Sequence, residues 1–313
     1  MRAPCCGTCA WRKDADEIAL LRVAAHAADR VVAQIAAGRL IGRTEADVAR
    51  EVQERLVAEG HDSAAFSIVA SGPNSASPHH EPGDRVLRAG EPVVLDIGGR
   101  RWAVRLGHHA DLLDRRRGRD DRAPPDFVRL YTVLRDAQAA ATASVRPGIP
   151  AEAVDAVARD AITAAGFGPN FIHRTGHRIG LEGHEDPYLV AGNAEPLGVA
   201  NAFSIEPGIY LEGRFGARIE DIVVCGGAGP DVLNEMSREL LVVRGRRIAR
   251  QRRPTPSGII ARPVAVNDRH ERAPDDDHHH AGAQPAEPAR PAQPARPASA
   301  DERERPGCAA GRR

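Results

Sequence analysis

The sequence predicts an α+β fold. Amphipathic helical stretches and short apolar strands are interspersed over the first 245 residues, and the later strands follow one another as closely as hairpin strands do. A hydrophobic fraction of 42% supplies enough apolar side chain for a core.

Residues 14–37 read as the first helix, with Ile18, Leu21, Ala25, Ala28, Val32 and Ile35 at helical spacing. Thr44 is an N-cap candidate with Asp47 in the capping-box position. Val48, Val52 and Leu56 mark the buried stripe of that second helix, and Gly60 ends it. FSIVA (66–70) and PVVLDI (92–97) read as strands. Residues 126–145 form a third helix with Phe127, Leu130, Leu134 and Ala137 inward. Pro150 opens a fourth, with Val154, Val157, Ala161 and Ile162 inward and Gly166 closing it. Strands follow near 203–206, 209–212, 218–224 and 239–243. From 246 to 313 the chain is dominated by Arg, Pro, Ala and acidic residues, with few that could bury. It predicts a disordered tail, in which His278–His280 read as solvated rather than metal-binding.

Composition excludes several classes. Zero formal net charge gives no reason to expect nucleic acid or an anionic membrane as partner. No stretch approaches the roughly 18 apolar residues of a membrane helix, and the N-terminus lacks the apolar segment of a secretory signal. A cytoplasmic protein is expected. Five cysteines, an odd number, argue against a disulfide framework, and Cys5, Cys6 and Cys9 read as thiols of a non-core stub, residues 1–13. Lys13 is the single lysine among 43 basic residues, a bias that points to a GC-rich gene.

The chemistry concentrates in NFIHRTGHRIGLEGHEDPY (170–188). His173, His177 and His184 alternate there with Gly176, Gly180 and Gly183. Imidazole is the commonest metal ligand and near-neutral proton carrier, and glycine lets backbone approach closely. Downstream, FSIEPGIY carries Glu206 and RIEDIVV carries Glu220. Upstream, VVLDIGG carries Asp96. One His with three carboxylates suits Mn, Co, Zn or Fe in a hydrolytic site. Taken singly, Asp96 is an ordinary acidic turn residue, and Arg218 with Glu220, two apart on one expected strand, an ordinary surface pair.

From about Asp14 to about Val243 these motifs, in this order and spacing, resemble the pita-bread metallopeptidases: methionine aminopeptidase, aminopeptidase P and the Xaa-Pro dipeptidases. HRTGH, HEDPY, SIEPGIY and RIEDIVV read closest to the Xaa-Pro branch. The resemblance implies two pseudo-symmetric halves with a curved antiparallel sheet and outer helices over 14–245. It implies two divalent metals, with Asp96, His177, Glu206 and Glu220 as ligands and Glu206 also taking a proton from the attacking water. His184 matches a histidine that steadies the tetrahedral intermediate. His79 matches one near the substrate, with His80 the alternative one residue on. His173 and Arg218 match positions near the proline pocket or the substrate carboxylate. The expected partner is a proline-containing peptide, and the expected assembly a homodimer. Larger prolidases carry a further N-terminal domain that the first residues here do not match, which leaves its part in oligomer contacts and substrate access open.

Two departures stand out. The family writes Gly where Arg178 follows the ligand His177, so a long cation is expected either to crowd the metal or to point away. The family also needs an Asp eleven residues after the first, and Gly107 stands there, with Asp111 the nearest carboxylate. Residues 100–122 hold eight arginines and no strand alternation. They are expected to loop outward and leave the Asp96 strand unpaired on that side. The plain reading is a genuine charged insertion or a basic surface loop, but with GC-rich codons a one-base frame shift can turn Val104–Asp111 into Tyr-Ala-Ser-Asp-Thr-Thr-Arg-Thr with the Asp at 107. The segment is therefore expected to be read out of frame, and the chain to retain one metal or none. The sequence thus supports a metal-dependent Xaa-Pro peptidase with an impaired site. Its rivals are a catalytically inactive pita-bread protein that binds a peptide or protein partner and, within the enzyme class, a methionine aminopeptidase or creatinase-like amidinohydrolase.

Overall fold

A capping box starts the first helix, α1 (Ala15–Ala37): Asp14 accepts from the Glu17 N–H and the Glu17 carboxylate accepts from the Asp14 N–H. A computed structural model describes residues 12–101, 104–115, 124–180 and 184–244, without the side chains of 101, 104–115, 187 and 244. The cysteine cluster 5–9, Gly183, Arg116–Arg119 and the tail from 246 lie outside the described residues. In α2 (Glu45–Ala58) Thr44 Oγ1 accepts from the Asp47 N–H at 3.0 Å, as the sequence predicts, and Val48, Val52 and Leu56 are buried. No described helix is long and apolar enough to cross a membrane.

Helices α1 and α2 pack on a sheet of β1 (Ser63–Ser71), β2 (Pro92–Arg101), β3 (Val104–Arg115) and β11 (Leu241–Arg244), in the order β1-β2-β3-β11, with β11 parallel to β3. Helices α3 (Pro125–Ser144) and α4 (Ala151–Ala164) pack on the second sheet. Its strands are β4 (Gly176–Arg178), β5 (Glu185–Leu189), β6 (Ala202–Ile205), β9 (Asp221–Gly226) and β10 (Gly229–Val232), all antiparallel in the order β10-β9-β6-β4-β5. A hairpin of β7 (Gly208–Leu211) and β8 (Phe215–Arg218) completes the set. Each helix pair closes its own core, one around Leu21, Val32 and Leu95, the other around Phe127, Leu134 and Phe203. Phe127 is fully buried, and its truncation to Ala would cost about 3–5 kcal/mol.

The α+β expectation holds, with corrections. Residues 104–115 do not loop outward. They form β3 and pair with β2 over ten residues, Pro92↔Leu113 through Arg101↔Val104. Ladder hydrogen bonds come from the backbone, so an unpaired β2 edge draws in whatever chain follows it, whatever its side chains. The strand expected over 218–224 is broken: β8 ends at Arg218 and β9 begins at Asp221. On α4 Ala161 is exposed, and Asp155 and Ala158 take inward positions.

Candidate metal centre

All eight residues singled out in the sequence line one cavity of about 350 Å³ between the two halves: His79, Asp96, His173, His177, His184, Glu206, Arg218 and Glu220. His80 does not. Its ring turns to Glu45 on α2, with Nε2 2.7 Å from the carboxylate, so of the two candidates His79 is the one at the cavity wall.

Asp96, on the central strand β2, is buried and accepts from Arg218 Nη1 at 2.7 Å. The same guanidinium donates from Nε to the Tyr210 hydroxyl at 2.9 Å and from Nη2 to the Pro78 carbonyl at 3.0 Å, and lies 3.7 Å from Glu206. Burial alone would lower the pKa of Arg218, but Tyr210, Asp96 and Glu206 raise it further, so it stays a cation. His177 holds its ring by an Nδ1–H donated to the Arg178 carbonyl at 2.9 Å, which leaves Nε2 facing Glu206 at 3.0 Å. A neutral imidazole oriented this way presents Nε2 as a ligand atom. Burial would raise the Glu206 carboxyl, but the close contact with His177 and the Arg218 cation outweigh it and hold the pKa low. Glu220 goes the other way: burial, then repulsion from Glu206 and Asp96, push it well above the carboxylate range.

The ring of His173 accepts at Nε2 from the Tyr210 hydroxyl (3.0 Å) and donates from Nδ1 to the Arg174 carbonyl (2.7 Å). Burial and the Arg218 charge lower its pKa to about 4, so it is neutral. His184, partly exposed, sets its ring 4.3 Å from that of His177 at a tilt of 48°. Burial, then His177, lower its pKa as well.

Residues the sequence reading passed over hold these groups in place. Asp155 on α4 is buried and accepts from the Thr175 N–H (3.1 Å) and hydroxyl (2.7 Å). Arg159, one turn on, pairs with Asp155 and donates to the carbonyls of Phe171 and His173, so α4 clamps the segment that carries the histidines. The i, i+4 Asp–Arg spacing was the available signal, but it is also that of an ordinary surface pair. A Cβ on Gly176 would strike the Ser204 carbonyl, so glycine there lets β4 approach β6 closely enough for the His177 N–H to reach Ser204 Oγ at 3.1 Å. Glu45, fully buried, accepts from the Ser71 N–H and hydroxyl, both at 2.7 Å, and from Asn74, which fixes the turn before His79. Beside Glu220, Asp221 is anchored by Gln138 of α3 at 2.7 Å and by Arg238.

Arg178 does not crowd the centre. It is buried but does not line the cavity, because neighbouring residues of a strand point to opposite faces. Burial lowers its pKa to about 10, against the opposing charges of Glu195, Glu185 and Asp186.

Three buried carboxylates beside one oriented imidazole have the donor chemistry of a divalent-cation site, and the mutual repulsion that lifts Glu220 is what a cation would relieve. The arrangement is not closed, however. Among the described residues no group of three His, Cys, Asp or Glu side chains is poised to hold a metal, because Asp96 faces Arg218 and Glu206 faces His177. Position 107 is glycine and offers no ligand.

A profile of metallopeptidase family M24 matches residues 19–226. The chain is 49% identical over 231 residues to a protein of Mycobacterium tuberculosis named probable dipeptidase PepE, covering 74% of this chain and 60% of that one. The solved PepE of Mycobacterium ulcerans is 48% identical with a TM-score of 0.71, over 75% of this chain and 62% of that one. A prolidase from Thermococcus sibiricus is 38% identical with a TM-score of 0.72, over 75% and 63%. The chain thus spans about three fifths of the length of these relatives. With helix pairs packed on largely antiparallel sheets and the site between two halves, it belongs to metallopeptidase family M24 and has that family's pita-bread fold.

Proposed function

We propose that the chain is a metal-dependent peptidase of the Xaa-Pro dipeptidase or aminopeptidase type, acting on short proline-containing peptides. The observation that carries this reading is the convergence of Asp96, His177, Glu206 and Glu220 with His79 and His184 on one cavity. Asp96, His177, Glu206 and Glu220 would hold a metal of the Mn, Co, Zn or Fe class. Such a metal lowers the pKa of a bound water and polarises a carbonyl. Glu206 is ionised and accepts from Ser204 Oγ at 3.1 Å, which supports it as the carboxylate that would take the proton of the attacking water. His184 and His79 stand at the cavity wall, where they can donate to the developing oxyanion and to the substrate carbonyl. Phe66, Ile68 and Ile179 form an apolar wall suited to a prolyl ring. The prolyl nitrogen carries no N–H, so a pocket that reads shape rather than that proton is needed.

A second reading is a non-catalytic pita-bread protein that binds a peptide or protein partner. The glycine at 107 and the Arg218–Asp96 pair favour it, because one ligand is missing and another is held by an internal cation. Metal content by elemental analysis, combined with hydrolysis of Ala-Pro and Asp-Pro, separates the two. Bound metal with metal-dependent cleavage supports the peptidase, whereas peptide binding without cleavage at saturating metal supports the binder.

A further inference from the structure

We infer that Glu45 and His80 are positioning residues: together they hold the loop 71–80 so that His79 reaches the cavity and the Pro78 carbonyl reaches Arg218. The two adjacent histidines thus divide the work, one facing the cavity and the other anchoring the first from behind. The inference takes from the peptidase reading only that His79 belongs to the site, and its test needs no turnover.

Glu45 opens α2 and takes no part in the chemistry proposed above. It is fully buried, and burying a carboxyl group is costly unless hydrogen bonds replace the water it loses. Among the described residues, the partners of its side chain all come from one loop. Oε1 accepts from the Ser71 N–H and hydroxyl, each at 2.7 Å, and Asn74 Nδ2 reaches Oε2 at 3.0 Å. His80 Nε2 lies 2.7 Å from the same Oε2, and since the carboxylate accepts, His80 is the donor. The loop cannot swing away without stranding a buried acid, so it is held in one conformation. The same loop crosses to the other half. Ser75 Oγ accepts from the Gly216 N–H of β8 at 2.9 Å, and a Cβ on Gly216 would strike the Ser75 carbonyl, so glycine lets the loop seat there. The Pro78 carbonyl accepts from Arg218 Nη2 at 3.0 Å. His79 therefore stands between two pinned neighbours, Pro78 held by its carbonyl and His80 by its ring. Pinning both sides fixes where the His79 side chain leaves the backbone, which is the preorganisation an active-site donor needs. Glu45 does not line the cavity, yet it governs two groups that do, His79 and Arg218.

The test observes the full chain by NMR with ¹⁵N in its histidine rings, and by amide exchange, without metal or peptide. The His79 ring signals are identified by their loss in His79→Ala. His80→Phe keeps a planar ring and removes the donor, whereas His80→Gln keeps a donor. In the unmodified chain His79 is expected to give one sharp set of signals. In His80→Phe those signals shift or broaden, and exchange over 74–80 accelerates roughly 10- to 100-fold, the range of one hydrogen bond to a charged group. His26 and His61, which belong to the same half but do not line the cavity, keep their signals. His80→Gln restores the unmodified pattern. Glu45→Gln turns an amide N–H₂ toward His80, is expected to give the same changes, and serves if His80→Phe does not fold. Unchanged His79 signals and unchanged exchange over 74–80 overturn the inference. Changes that spread equally to His26 and His61 overturn it too, because the pair is then a general stability element. A chain that neither binds metal nor cleaves Ala-Pro sinks the peptidase reading and leaves this result standing.

Discussion

Gly107 lies directly across the β2–β3 ladder from Gly98, one alternate position along from the pair Asp96↔His109. Directly opposed residues of an antiparallel pair share a face, and so do residues two apart on one strand. Position 107 is therefore on the Asp96 face of the sheet, where a carboxylate would stand beside Asp96.

Gly107→Asp is accordingly expected to raise metal content after dialysis from at most one to about two ions per chain, read by elemental analysis. If the unmodified chain already holds two after dialysis, position 107 is not the missing ligand. The one-base shift that restores Asp at 107 predicts the same of the frame-corrected chain. An unbroken frame encoding Gly107 in closely related strains would count against a reading error.

The rings of His177 and His184 lie 4.3 Å apart at a tilt of 48°, yet only His177 is buried with its Nδ1–H fixed on a backbone carbonyl. In the Gly107→Asp background, His177→Ala should abolish one metal site. His184→Ala should keep the metal and slow turnover by about 10²- to 10³-fold, as loss of one oxyanion-type donor does. The reverse pattern of metal loss would reverse the ligand assignment.

What the sequence made legible follows from which side chains carry the signal. The stripes of Val48, Val52 and Leu56, and of Phe127, Leu130 and Leu134, are helical periodicities set by burial, and they appear as expected. The cavity residues were readable because their motifs keep order and spacing. Strand β3 was not, because its pairing is a backbone matter and its side chains carry no alternation. Nor were Asp155, Glu45 and Asp221, whose work lies in contacts far along the chain: Asp155 to Thr175, Glu45 to Ser71 and His80, Asp221 to Gln138.

The neutral His173 gives a pH signature. Its folded-state pKa is about 4 against an ordinary 6.5, so below pH 6.5 the unfolded chain takes up a proton that the folded chain does not. Stability is therefore lost as pH falls through the window from 6.5 to about 4, by up to about 3 kcal/mol at about 1.4 kcal/mol per unit. Denaturant midpoints measured across that range should fall less steeply for His173→Gln than for the unmodified chain. Equal slopes would mean that His173 does not carry the effect.

The Asp155 carboxylate joins α4 to the segment 171–175 through Thr175 and Arg159. Asp155→Ala removes the acceptor of a buried N–H and leaves Arg159 without its partner, at a cost of about 2–4 kcal/mol. Arg159 is about a third exposed, and water at that end keeps the cost toward the lower figure. The core contacts of α4 through Val154, Ala158 and Ile162 are untouched, so the domain should still fold. The loss should fall on the segment that carries His173, Arg174 and His177. Hydrogen exchange over 171–177 is expected to accelerate more than exchange in α4 itself, and metal affinity to drop with it. Asp155→Asn, which still accepts from Thr175 but loses the charge facing Arg159, should fall between the two. Uniform acceleration across the domain, with metal affinity lowered no more than by an unrelated core truncation of equal cost, would show that Asp155 is only a stability residue and does not position the site.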